Sequence, residues 1–125
     1  KVGLIPGDGG GAVLQRVVGL PTTLDLVLTG RIVRADEALS LGLVHRVVEP
    51  DALHEAVVAL AGQIAANAPL AVQLAKSAIY RSQHLNLEDA LELASTYQAI
   101  SQRTADHDEG VAAILDKRIP EFKGR

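Results

Sequence analysis

The sequence predicts an α/β chain: a strand, a glycine loop and short helices at the front, followed by a mostly helical remainder. Three observations carry this. The apolar run Val2 to Ile5 stops at Pro6-Gly7, as a buried strand does when it enters a turn. Gly7, Gly9, Gly10 and Gly11 then give a loop poor in side chains before a helical pattern begins. From Asp51 onward, apolar residues recur at three- and four-residue spacing, the mark of amphipathic helices.

The elements follow in order. Ala12 to Val18 reads as a short helix stopped by Gly19. Pro21 suits the first turn of a second helix, about Thr22 to Leu28, which Gly30 ends. Arg31 to Val33 is a candidate strand, Asp36 to Leu41 a short helix closed by Gly42, and Leu43 to Val48 a β-rich segment expected to be a strand. Leu53, Val57, Leu60 and Ile64 then line one face of a helix from about Asp51 to Ala66. Asn67 and Pro69 separate it from a helix over Pro69 to Ser82, with Leu70, Leu74 and Ala78 in line. Asn86 caps the next helix, whose stripe of Leu87, Leu91 and Ala94 is widened by Leu93, Tyr97 and Ile100. Asp106 and Glu109 have capping-box spacing before a last helix that Pro120 ends, with Lys117 and Arg118 at its negative pole. The expected division is residues 1–48 as the end of an α/β core and residues 49–125 as a helical region. A chain that opens on Lys1, with strand pattern already under way, reads as one half of a larger domain.

Composition narrows the classes of function. The 125 residues are 48% apolar but include only two tyrosines and one phenylalanine, so the core must be aliphatic. The net charge of −3, without a Lys/Arg block, argues against nucleic acid or an anionic membrane as partner. Cysteine is absent, which excludes disulfides and thiolate metal sites. No apolar run reaches the roughly 20 residues of a spanning helix, and no signal-peptide pattern opens the chain. The expectation is a cytoplasmic protein.

The glycine loop is the first candidate site. Gly7-Asp8-Gly9-Gly10-Gly11-Ala12 meets the local form of a dinucleotide fingerprint. That reading also requires an acidic residue ending a second strand about 20 positions on. The nearest acid, Asp25, lies in a helical pattern, and Asp8 would set a negative charge where pyrophosphate should sit. A tight turn without ligand and a loop lining a substrate remain. His45, His54, His84 and His107 show no metal-ligand spacing, so no metal site is expected. No serine has the context of a nucleophile elbow. The run Asp106, Asp108, Glu109 reads most simply as helix N-terminal charge and capping.

Four stretches taken together resemble the enoyl-CoA hydratase/isomerase (crotonase) family. VGLIPGDGGGAVLQRVVG, from Val2 to Gly19, is similar to its strand, PG-x-GG loop and following helix. LVLTGRIVRADEALSLGLVHRVV, from Leu26 to Val48, resembles its LTG…A-x-EA…GLV stretch. IAANAPLAVQLAKSAI resembles its proline-to-lysine helix, and TADHDEGVAAILDKRIPEFKGR, from Thr104 to Arg125, its C-terminal D-x-x-EG…KR…F ending. The four lie in register across nearly the whole chain.

The resemblance implies a crotonase-like spiral α/β fold of which this chain is the C-terminal, mostly helical part. It implies helices that drive formation of a homotrimer or a dimer of trimers, an acyl-CoA substrate, and no metal or organic cofactor. It implies an oxyanion hole that stabilises a thioester enolate and two glutamates that activate water. By the family's pattern all of these groups precede Lys1, the second glutamate just upstream of it.

Within the chain, Pro6 and Gly7 match the loop that lines the acyl pocket. Asp8 stands where hydratases often carry a small residue. It reads either as an auxiliary acid/base, the tentative catalytic candidate, or as a solvated, loop-capping carboxylate. Lys117 matches a lysine that reaches the coenzyme A of a neighbouring subunit, and reads almost as well as a helix C-terminal cation. Ile114 replaces an adenine-contacting phenylalanine, which weakens the expected stacking. The implied activity is hydration of a 2-enoyl-CoA or a shift of its double bond, in fatty-acid or related acyl-CoA breakdown. The alternative is a non-catalytic oligomerisation or interaction fragment that lacks the catalytic glutamates.

Overall fold

The computed structural model describes residues 3–125, and its regular elements are helical throughout that range. The chain forms two compact units, Lys1–Leu53 and His54–Arg125.

In the first unit, α1 (Gly10–Val18) packs against α2 (Leu20–Thr29), and α3 (Ala35–Ser40) follows. Gly19 separates α1 from α2 with φ 80°, and its N–H donates to the Gln15 carbonyl at 3.1 Å. Pro21 occupies the first turn of α2, where its missing N–H leaves no bond unmade. Thr23 is buried and returns its hydroxyl to the Gly19 carbonyl at 2.8 Å, tying the helix start to the turn. Gly30 ends α2 in the left-handed region. Arg31 then spans Asp25 on α2 and Glu37 on α3, at 2.7 Å each. This double pairing raises the Arg31 pKa and lowers that of Glu37, chiefly through their shared hydrogen bond.

The expected strands do not form among the described residues. Val2, the start of the first, lies outside them, and Gly3 to Ile5 are irregular. The segments 31–33 and 43–48 are also without strand. A strand exists only when a second one completes its ladder. Here local acceptors take the amides instead. Arg31 N–H donates to Thr29 Oγ1 at 3.3 Å, and Leu43 N–H to the Ala38 carbonyl at 2.9 Å. The apolar run and the β-rich composition are local signals without a partner to satisfy them.

Helix α4 (Leu53–Ala65), which opens the second unit, follows a 3-10 turn over Pro50–Ala52 at the end of the first, and that turn takes the place of the helix start expected at Asp51. Helix α5 (Pro69–Ser82) has the expected bounds and packs against α6 (Leu87–Ser101). Tyr97 joins these two helices. Its hydroxyl accepts from Arg81 at 2.9 Å and lies 3.3 Å from the Ser77 hydroxyl, and the phenol's pKa is lowered by Ser77 first and Arg81 second. Asn86 caps α6 as expected, its side chain accepting from the Asp89 N–H at 2.9 Å. Helix α7 (Ala105–Leu115) is capped by Thr104, which accepts from the His107 N–H at 3.1 Å. The capping box read at Asp106 and Glu109 is therefore a correction: both lie inside the helix.

Large aliphatic side chains are left exposed along both units, among them Leu28, Ile32, Ile79 and Ile119, while Ala113 is the buried apolar residue among the described ones. No helix among the described residues is long and apolar enough to cross a membrane.

Candidate functional site

The front loop is built from backbone constraints. Gly7 N–H donates to the Ile5 carbonyl at 2.8 Å, which closes a tight turn at Pro6. Gly9 follows in the left-handed region, φ 92°, a conformation that any side chain would strain. Gly10 opens α1, and a Cβ there would lie 2.9 Å from the Pro6 Cβ, so only glycine allows the loop to fold this closely. The Asp8 carboxylate accepts from the Gly10 N–H at 3.2 Å. It thus sits at the positive end of α1, in the geometry of an Asx turn. Pro6, Gly7 and Asp8 are all exposed. They stand consecutively in the exposed loop that precedes α1 in the first unit.

The second unit carries a different device, in which the end of the chain folds back along α7. Asp106 is 3% exposed and accepts from the N–H groups of Lys123 and Gly124 at 2.6 and 2.8 Å. Its own N–H donates to the Arg125 carbonyl at 3.1 Å. One turn along, Glu109 receives both terminal nitrogens of Arg118, at 2.6 and 2.9 Å, and the Glu121 N–H at 2.8 Å. These donors hold the Glu109 pKa down at about 2, Arg118 contributing most. Gly110 faces the ring of Phe122, whose Cε1 would lie 3.6 Å from an added Cβ.

Lys117 stands at the turn between α7 and this returning segment. Arg118 N–H donates to the Ala113 carbonyl at 3.0 Å, and Lys117 N–H to the Ile114 carbonyl at 3.3 Å. That pair is a Schellman motif, with Lys117 at the position where glycine is usual. Lys117 has φ 54° and is the one non-glycine residue with positive φ among the described residues. A side chain in that region costs roughly 1–2 kcal/mol. Ile114 is 78% exposed, on the wall of an open cavity of about 320 Å3 that also meets Ala71, Ser101, His107, Val111 and Phe122.

The structure therefore groups Pro6, Gly7 and Asp8 in one unit, and Ile114 and Lys117 in the other. Sequence reasoning missed the return of the chain end onto Asp106 and Glu109. The available signals were the spacing of Glu109 to Arg118, Pro120 turning the chain, and a lone aromatic at Phe122. Among the described residues no cluster of three or more His, Asp or Glu could hold a metal ion.

Comparison with known proteins adds four findings. A family profile described as enoyl-CoA hydratase/isomerase matches residues 1–125. The short-chain-enoyl-CoA hydratase of Clostridium acetobutylicum is 38% identical over 125 residues, covering 99% of this chain and 48% of that protein. The 1,2-epoxyphenylacetyl-CoA isomerase of Escherichia coli is 36% identical over 125 residues, covering 100% of this chain and 48% of its own. Among solved structures, the enoyl-CoA hydratase of Bacillus anthracis superimposes with a TM-score of 0.97 at 37% identity, over 99% of this chain and 48% of that one. The chain thus spans about half the length of these relatives.

Proposed function

Because the chain belongs to the enoyl-CoA hydratase/isomerase family and has the fold of its mostly helical C-terminal part, we propose that the protein at its full natural length hydrates a 2-enoyl-CoA. The same enolate chemistry would also shift a double bond; the relative named as an isomerase acts on an epoxide-bearing acyl-CoA, while the relative at similar identity is named as an enoyl-CoA hydratase, which favours hydration. The observation that carries hydration is the Pro6-Gly7-Asp8-Gly9-Gly10 loop, together with the likeness to solved enoyl-CoA hydratases.

In this reading the acyl end of the substrate lies against Pro6 and Gly7. The exposed loop leaves backbone within reach there, and the glycines keep side chains out of the way. Two backbone N–H groups outside this chain polarise the thioester carbonyl. Water adds its hydroxyl to the β-carbon and a proton reaches the α-carbon, so the enolate charge never leaves the oxyanion hole. Lys117 takes a phosphate of coenzyme A from a neighbouring protomer of a trimer, and Ile114 gives the adenine an aliphatic rather than an aromatic surface. The carrier is the substrate itself, and the reaction calls for no separate cofactor. Acyl-CoA breakdown in the cytoplasm is the setting that fits.

The assay is loss of the enoyl-thioester absorbance when the full natural-length protein meets crotonyl-CoA. Saturable loss supports hydration; no loss from folded protein overturns it. Asp8→Asn separates the two roles open to that residue. If Asp8 is an auxiliary acid/base, turnover falls at least about tenfold, since general acid–base groups typically contribute about 10²–10⁴-fold. If it only caps the loop, turnover stays near wild type.

A second reading, a non-catalytic oligomerisation module, is favoured by one observation. Leu53, Val57, Val58 and Ile64 on α4 are each at least half exposed. Covering each would contribute roughly 1 kcal/mol or more. A soluble, stable trimer formed by residues 1–125 alone, without enoyl-CoA turnover at full length, supports it. Aggregation of those residues argues against it.

A further inference from the structure

The strained backbone at Lys117 asks for an explanation that the fold alone does not supply. Glycine would close the α7 Schellman turn without strain, yet the chain places a long cationic side chain there at φ 54°. Both sides of Lys117 are fixed. Before it, the amides of Lys117 and Arg118 bond back to Ile114 and Ala113. After it, Arg118 is clamped by both oxygens of Glu109, at 2.6 and 2.9 Å. The same carboxylate holds the Glu121 N–H at 2.8 Å, and buried Asp106 holds the next amides, Lys123 and Gly124.

Charge is sorted in the same way. Arg118 is neutralised by Glu109 and approached by Asp116 at 3.5 Å. Among the described residues no carboxylate lies within salt-bridge distance of Lys117. The clasp removes one of two adjacent cations from play and leaves the other exposed at the turn.

We propose that Glu109 and Arg118, with the Asp106-anchored chain end, are positioning residues that hold Lys117 as a fixed, unpaired cation for the phosphates of the coenzyme A ester. This rests on the reading above that the ligand is a coenzyme A thioester and that Lys117 meets it. Holding the lysine in one backbone state spares the binding step the ordering of a free loop. A bidentate guanidinium–carboxylate pair suits that task, because its planar geometry fixes direction as well as distance.

The test is titration of free coenzyme A into the full natural-length protein by calorimetry, with thermal melting alongside. The variants are Glu109→Gln, Arg118→Lys and Lys117→Ala, and each of the first two combined with Lys117→Ala. Glu109→Gln and Arg118→Lys are each expected to weaken coenzyme A binding about tenfold while Lys117 is present, and to change it little once Lys117 is alanine, since coupled residues are non-additive. A clasp that only stabilises the fold would lower the melting temperature and leave the dissociation constant of the folded protein unchanged; that result overturns the proposal. So does a full, independent loss in the Lys117→Ala background. Should Glu109→Gln not fold, Arg118→Lys decides by the same criterion, because it keeps the charge and loses only the fork. Wild-type protein that binds no coenzyme A overturns the ligand reading itself. Wild-type binding with unaltered variants overturns the positioning role alone.

Discussion

The two units hold their functional candidates by opposite means. In the first, Asp8 is held by one hydrogen bond at 3.2 Å, and the loop shape rests on glycines that bring backbone close to Pro6. In the second, a 3% exposed carboxylate and a bidentate ion pair bind a whole returning segment, and the turn they frame holds a lysine in a conformation suited to glycine. A loop shaped by absent side chains leaves room for a substrate. A turn shaped by charged hydrogen bonds fixes a side chain.

The comparison can be broken most severely at Asp106. Asp106→Ala removes a buried acceptor that serves the backbone amides of Lys123 and Gly124, and hydrogen bonds to charged groups contribute about 1.5–3 kcal/mol each. Loss of about 3 kcal/mol of stability is expected, read as a fall in the urea midpoint at unchanged slope. A change below about 0.5 kcal/mol, the usual size for an inert surface site, would show that the chain end is held by something else.

Next comes Gly10→Ala. The added methyl would meet the Pro6 Cβ at 2.9 Å, so the front turn must open. A cost of about 1–3 kcal/mol is expected, in the range of overpacked sites. Enoyl-CoA turnover should fall with it, because Pro6 and Gly7 move together. Full activity with normal stability would mean that this close approach has no part in shaping the pocket.

A smaller effect sharpens the account of the back unit. Glu109 has its pKa lowered from 4.5 to about 2 by Arg118 first and the Glu121 amide second. A depressed carboxylate pKa stabilises the fold above the ordinary value, and that contribution fades as pH falls from 4.5 towards 2. Amides 121 to 124 should therefore lose hydrogen-exchange protection across that interval, and Glu109→Gln should flatten the trend. Protection that stays constant down to pH 2 would contradict the clasp.

Much of this was legible before any coordinates. The bounds of α5 followed from Pro69 and from the line of Leu70, Leu74 and Ala78, and the cap at Asn86 from its spacing to Asp89. Those signals are local, and local signals suffice for helices. The segments 43–48 and 31–33 had β character that came to nothing, because a ladder depends on a partner that no single segment encodes. Asp106 and Glu109 looked like capping residues because three-residue spacing fits a helix start. Thr104 takes the cap, and the acids serve a chain end more than ten residues away. Long-range acceptors of this kind leave no periodic trace. The front loop was readable as a turn and Asp8 as a candidate capping carboxylate, whereas the amide it caps, that of Gly10 at the start of α1, follows from the fold of the loop.

On the proposed reading, the full natural-length protein adds water to a 2-enoyl-CoA. The most direct measurement is proton NMR of the product formed from 2-hexenoyl-CoA. The account predicts conversion to the 3-hydroxyacyl-CoA. Recovery of unchanged 2-hexenoyl-CoA from folded protein would contradict it.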